Sequence, residues 1–226
     1  MLYAGLGFLF GLLIPYIARR FGKFMPATGA YAIYRIVKPN KKVSIFKKKK
    51  NSRYVRLFKR YAWRSLMWGL GCALVSCAAY YQFGAVHIVW YLFLFWALML
   101  LAEIDLRMML LPDILTTPIL IFGFLYAVIV GEWVGVGDSA MGAVYGYIIP
   151  IFASLFFVYK NRDVFGGGDV KLLAALGAWM GLEKLLYVII ISTILFVMYA
   201  IVTKRRAGAY GPAAAVATIA VAFWFF

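Results

Sequence analysis

Acidic residues are scarce in this chain, so each can be weighed separately. There are 8 Asp and Glu among 226 residues, against 24 Lys and Arg. Glu132, Asp138 and Glu183 read as solvated loop charges, and Asp163 reads as a local partner within Lys160-Asn161-Arg162-Asp163. Four acids remain: Glu103, Asp105 and Asp113 in one polar junction, and Asp169 at the end of Gly166-Gly167-Gly168-Asp169. Two carboxylates brought together in a low-dielectric site share one proton. The ionised member can then act as general base on a water, and the protonated member as general acid on a peptide carbonyl. Such a pair needs no metal, serine, histidine or cysteine. That suits a chain whose single histidine, His87, falls inside an apolar run, and whose two cysteines, Cys72 and Cys77, share another.

Each of these residues also has a plain structural alternative. Asp105 can pair with Arg107 as an interfacial anchor. Asp113 follows Pro112 and suits the start of a helix. A glycine run can be a linker, although it carries a large backbone entropy cost beside a helix. Glycines are favoured where backbone closely approaches another element or where φ is positive. A phosphate cradle is excluded: no GK[ST] follows, and an anion would meet Asp169. No Cys/His set has the spacing of a structural zinc site.

These residues must be held by a membrane scaffold. The chain is 65% hydrophobic and 14% charged, with a mean hydropathy of +0.88. Soluble domains are nearer ~25% charged. The long apolar runs predict an all-α polytopic membrane protein rather than a β-barrel. Spans are expected over residues 1–18, 65–83, 85–102, 114–130, 140–159, 185–203 and 207–226. Residues 172–182 form a further apolar segment of about 16 Å, short of a ~30 Å hydrocarbon core.

Charge arbitrates the topology. Sixteen of the 24 basic residues lie between Arg19 and Arg64, in a stretch with no acid. If the short segment crosses, loops 19–64, 103–113, 160–171 and 204–206 share one side and hold every basic residue except Lys184. The positive-inside tendency therefore favours about eight transmembrane helices, with both termini outside and all four candidate acids at inner helix ends. The expected organisation is a first span over residues 1–18, a basic cytoplasmic loop over 19–64 and a membrane-embedded domain over 65–226. The nearest polyanion to the basic loop is the membrane surface, so anionic lipid headgroups are its expected partner and nucleic acid is not. From the residues alone three functions stay open: a membrane aspartyl endopeptidase, a small proton- or cation-coupled transporter using the same acids, and a signalling or assembly protein that binds through its basic loop.

The motifs narrow the choice. Gly166-Gly167-Gly168-Asp169 followed by Val170-Lys171-Leu172 and by Gly177-Ala178-Trp179-Met180-Gly181 resembles the prepilin peptidases, the leader peptidases among the GxGD membrane aspartyl proteases. Ile104-Asp105, with Leu111-Pro112-Asp113 eight residues on and then Thr116-Thr117-Pro118, is similar to their upstream motif. Tyr210-Gly211-Pro212 resembles their Phe-Gly-Pro. The resemblance covers roughly residues 63–226. It implies Asp105 and Asp169 as the catalytic pair, since archaeal relatives lack the acid matching Asp113. It also implies supporting places for Gly166, Gly168, Lys171 and Asp113, with Lys171 holding a carboxylate or orienting the loop. The implied activity is removal of short basic leaders from prepilins or pseudopilins at the inner face of the bacterial cytoplasmic membrane, with no cofactor for proteolysis. Many members also methylate the new amino terminus with S-adenosylmethionine and carry two zinc-binding CxxC pairs in the first cytoplasmic loop. Residues 19–64 hold no cysteine, so no metal is expected there, and S-adenosylmethionine is implied only if methylation is retained.

Overall fold

A computed structural model describes residues 2–22, 52–84, 86–158, 166–204 and 208–226. Among these residues the chain is helical throughout, with no strand. The helices are α1 (Leu2–Gly22), α2 (Ser52–Gln82), α3 (Ile88–Met108), α4 (Asp113–Ile129), α5 (Val136–Val158), α6 (Gly167–Thr203) and α7 (Gly211–Phe225). Four of them, α1, α3, α5 and α6, are long and apolar enough to cross a membrane; α4 and α7 are shorter apolar helices. Large apolar side chains cover the outer surface, including Leu74, Val202 and Trp224 at 71%, 80% and 83% exposure. That is the surface a lipid solvent favours, and the chain is a multi-pass all-α membrane protein.

Two compact units are present, Met1–Ala78 and Ala79–Phe226. In the first, α1 packs on α2 through small residues: Gly7 lies against Ser76 and Cys72, and Gly11 against the Trp68 backbone. Close backbone approach of this kind drives helix association in lipid, where the hydrophobic effect does not. α2 begins at Ser52, so the end of the expected basic loop is already helical. The lysine run Lys47–Lys50, with the headgroup contact expected of it, lies outside the described residues.

The second unit holds the candidate acids. Here α6 packs on α4, α5 and α7, and α7 also packs on α3. Gly142 and Gly146 of α5 lie against the backbone of Gly177 and Leu173 of α6, closing that crossing to near backbone contact. The Trp179 indole N–H donates to the Ile119 carbonyl of α4 at 2.7 Å, and its ring stacks on Tyr126. The Gly-Ala-Trp-x-Gly motif is thus the seam between α6 and its neighbours.

The span α6 is two helical segments joined at a kink rather than one straight helix. Gly181 has φ 72° and ψ 175°, a backbone state open to glycine almost alone. A straight helix would put Asp169 and Phe196 about 40 Å apart, yet both line one cavity of about 400 Å³. The chain therefore reverses at Gly181. Residues 167–180 and 182–203 are two segments folded back on each other, and the short apolar segment expected over 172–182 is the first of them.

Two expected boundaries are corrected. The polar junction expected over Glu103–Asp113 is helical as far as Met108, because Arg107 Nε donates to Glu103 Oε1 at 2.6 Å across one helical turn. The helix stops only at Met109, which adopts a left-handed φ of 50°, with Pro112 following. The glycine run, expected as part of a 160–171 loop, supplies the N-cap and first turn of α6 instead.

Candidate active site

Asp105 lies in the last turns of α3, buried at 3% exposure. The sequence offers Arg107 as its partner, but that guanidinium is engaged by Glu103, a wholly buried carboxylate. Asp105 instead reaches the start of α7. Its Oδ2 accepts the Gly211 backbone N–H at 2.7 Å. The first N–H groups of a helix have no partner within it, so an acceptor from a neighbouring element fits there. Gly211 is a glycine for lack of room: a Cβ there would sit 2.9 Å from Asp105 Oδ2. Pro212, next in sequence, has no N–H to leave unsatisfied at this position.

Asp169 lies in the first turn of α6 and closes a reciprocal cap with Gly166. The Gly166 N–H donates to Asp169 Oδ2 at 3.1 Å, and the Asp169 N–H donates to the Gly166 carbonyl at 3.0 Å. That fixes the carboxylate at the mouth of the helix. Gly168 packs this turn onto the α3–α4 connection, where a Cβ would meet Leu111 Cβ at 2.9 Å. Of the two uses of glycine foreseen for this run, close approach is the one realised. The positive-φ glycines among the described residues are Gly131 and Gly181.

Asp105 and Asp169 line one cavity of about 210 Å³, together with Gly166, Gly167, Gly168, Gly208 and Tyr210. The two carboxylates thus converge from different helices on a space large enough for water and part of a peptide. Asp113 and Lys171 stand apart from it. Asp113 occupies the first position of α4, where a negative charge suits the helix dipole, and the N-cap is Pro112. Lys171 Nζ donates to Asp113 Oδ2 at 2.7 Å across 58 residues, both side chains being half-exposed or more. That ion pair ties the start of α4 to the start of α6.

Residue type alone assigns no role to Gly208, Gly211, Leu111 or Ser192. Tyr210-Gly211-Pro212 was visible as a motif, yet its use here depends on Asp105, 106 positions earlier. The Tyr210 hydroxyl lies 2.6 Å from Ser192 Oγ, which anchors the α6–α7 connection beside the cavity. The acids read as solvated loop charges include one that is engaged: Glu132 lies 2.8 Å from His87 at the far end of α3, and the His87 ring stacks on Trp133 at 3.8 Å. Among the described residues no cluster of His, Cys, Asp and Glu has the makings of a metal site.

Asp105 and Asp169 thus line a shared cavity within an all-helical membrane scaffold. Residues 92–201, running from α3 into the second segment of α6, match the type IV leader peptidase family. Over 113 residues the chain is 42% identical to the prepilin leader peptidase/N-methyltransferase of Aeromonas salmonicida, covering 49% of this chain and 38% of that protein. It is 34% identical over 164 residues to the protein of the same name from Pseudomonas putida, covering 69% and 57%. The corresponding Escherichia coli protein is 33% identical over 149 residues, covering 65% of each. Each match thus spans less than two thirds of the relative's length. No solved structure matches the chain.

Proposed function

We propose that this protein is a membrane aspartyl endopeptidase that removes the short basic leader from type IV prepilins or pseudopilins at the cytoplasmic face of the bacterial inner membrane. One observation carries the reading: Asp105 and Asp169, on different helices, line a single cavity. Leader peptidases supply the substrate class, through the match over residues 92–201. Residues 65–226 form the membrane-embedded peptidase domain, residues 1–18 the first span, and residues 19–64 a basic cytoplasmic loop against anionic headgroups.

In this mechanism the two carboxyl groups hold one proton between them. The ionised carboxylate takes a proton from a water as its oxygen bonds to the scissile carbonyl carbon. The protonated partner donates to the carbonyl oxygen, giving a neutral tetrahedral diol. On collapse the protonated carboxyl gives its proton to the leaving nitrogen, the C–N bond breaks, and the other carboxylate takes the proton of one diol hydroxyl as the carbonyl re-forms, so the pair again holds one proton. Gly211 and Gly166 fix the two carboxyl groups through their Oδ2 atoms. The Lys171–Asp113 pair braces the start of α6, which carries Asp169, against the start of α4. Proteolysis by this route uses no cofactor, and S-adenosylmethionine would serve only a separate methyl transfer.

The test is cleavage of a prepilin in membranes containing the full chain. Asp105→Asn and Asp169→Asn each lower the rate by at least about 10³-fold, and cleavage by the parent persists in excess EDTA. Processing by both single variants at the parental rate overturns the proposal.

A further inference from the structure

The first segment of α6 separates Asp169 from the turn at Gly181 by about 18 Å. At that turn, beside the α4–α5 connection, lies a pocket of about 540 Å³. Trp133, Val134 and Leu186 give it walls of carbon, and three charged side chains share the lining: Asp138, from the first turn of α5, with Glu183 and Lys184, just past the turn in α6. Lys184 is half-buried. Its Nζ donates to the Trp133 carbonyl at 3.3 Å and stands 3.7 Å from the centre of the Phe226 ring. Among the described residues no carboxylate forms an ion pair with it, although Glu183 is its neighbour in the chain. Asp138 and Glu183 are exposed, and neither side chain accepts a hydrogen bond from a described residue. The pocket thus presents one cation and two anions whose charges the protein leaves unmatched.

Such a lining disfavours a simple ion. An anion drawn to Lys184 meets Asp138 and Glu183, and a cation drawn to those carboxylates meets Lys184. A molecule carrying both signs satisfies all three. We propose that this pocket binds the headgroup of a zwitterionic phospholipid with a primary ammonium, its phosphate on Lys184 and its ammonium on Asp138 and Glu183. The ammonium brings three N–H donors to carboxylates that can only accept, and the phosphate brings acceptors to a lysine whose one hydrogen bond is long. The lipid as source follows from the surroundings. Leu186 on the pocket wall and Ile190, one turn further along α6, are 43% and 57% exposed, so an acyl chain has an apolar track leading away from the headgroup. Trp133 suits the depth at which headgroups lie. The volume falls within the range of small-molecule sites. A bound headgroup ties α5 to both segments of α6 across the Gly181 turn, and it stabilises the folded chain by mass action. The site stands apart from the acids and does not depend on the peptidase reading.

The experiment titrates the full chain in detergent with phosphatidylethanolamine and with phosphatidylglycerol of the same acyl chains, and counts bound lipid by native mass spectrometry. The two lipids share the phosphate, so the ammonium carries any difference between them. The parent is expected to bind phosphatidylethanolamine at least about tenfold more tightly. Asp138→Asn combined with Glu183→Gln brings the two lipids to within about twofold of each other, and Lys184→Gln weakens phosphatidylethanolamine by about tenfold. Glu183→Gln alone, at an exposed position, cuts the preference by about threefold and serves where a more disruptive variant fails to fold. Equal binding of the two lipids by the parent overturns the proposal. So does a preference that Glu183→Gln and the double variant both leave at the parental value, because it then belongs to another surface. Displacement of the lipid by soluble glycerophosphoethanolamine at equal concentration also overturns it, because the acyl chains then contribute nothing and the ligand is a free headgroup.

Discussion

Asp105 and Asp169 are each held by a backbone N–H that a helix start leaves over. For Asp105 that donor is Gly211, and the tight fit predicts a specific sensitivity. Gly211→Ala places a methyl group 2.9 Å from Oδ2 and pushes the carboxylate off its position. Displacements of ~1 Å near reacting groups cost on the order of 10²-fold in rate. Cleavage by Gly211→Ala is therefore expected to fall by about that factor, measured on a prepilin in membranes with expression and thermal unfolding close to the parent's. The Lys171–Asp113 pair behaves differently. Both side chains are at least half exposed, and exposed pairs contribute ~0–1 kcal/mol. Lys171→Ala is expected to shift the unfolding midpoint by no more than a few degrees. At this scale the acids were legible because a charge in an apolar chain needs a reason. Gly211 was not, because its requirement comes from a side chain 106 residues away. Nor was the Glu103–Arg107 pairing, because three acids within reach of one arginine leave the choice to tertiary packing.

At the level of elements, the reversal at Gly181 decides the architecture. It turns a 37-residue helix into two segments, and it sets Ile189, Thr193 and Phe196 opposite Asp169. Its φ of 72° with ψ of 175° is strained for any residue with a Cβ. Gly181→Ala is expected to destabilise the fold by ~1–3 kcal/mol, read from reversible unfolding in mixed micelles; a neutral result would mean that the turn is not fixed by that residue. The break between two apolar stretches was readable in the sequence, since Glu183 and Lys184 interrupt the run. The length of α3 was harder to read. Its last two turns carry Glu103, Asp105 and Arg107, residues typical of a loop, and they stay helical because an ion pair and a docked carboxylate satisfy them. The start of α2 at Ser52 was hidden in the same way, under the high basic charge of residues 52–64.

For the whole molecule, composition and loop charge were sufficient to predict an all-helical membrane bundle, because burial in lipid sorts residues more coarsely than burial in a core. On the topology expected from the loop charges, the start of α4 and the turn at Gly181 lie on opposite membrane faces. In a background with Cys72 and Cys77 replaced, Glu183→Cys is expected to react with an impermeant thiol reagent added to whole cells. Asp113→Cys is expected to react only after the inner membrane is opened. The reverse labelling would invert the topology and put the acids on the outer face. The family match begins at residue 92, after the basic stretch. Intact-mass measurement of a co-expressed prepilin tests whether these two aspartates act as one catalytic unit on a leader-bearing pilin: the leader-free mass is expected with the parent chain and the uncut mass with Asp105→Asn and with Asp169→Asn, and leader-free pilin in the presence of either variant at the parental level would rule the pairing out.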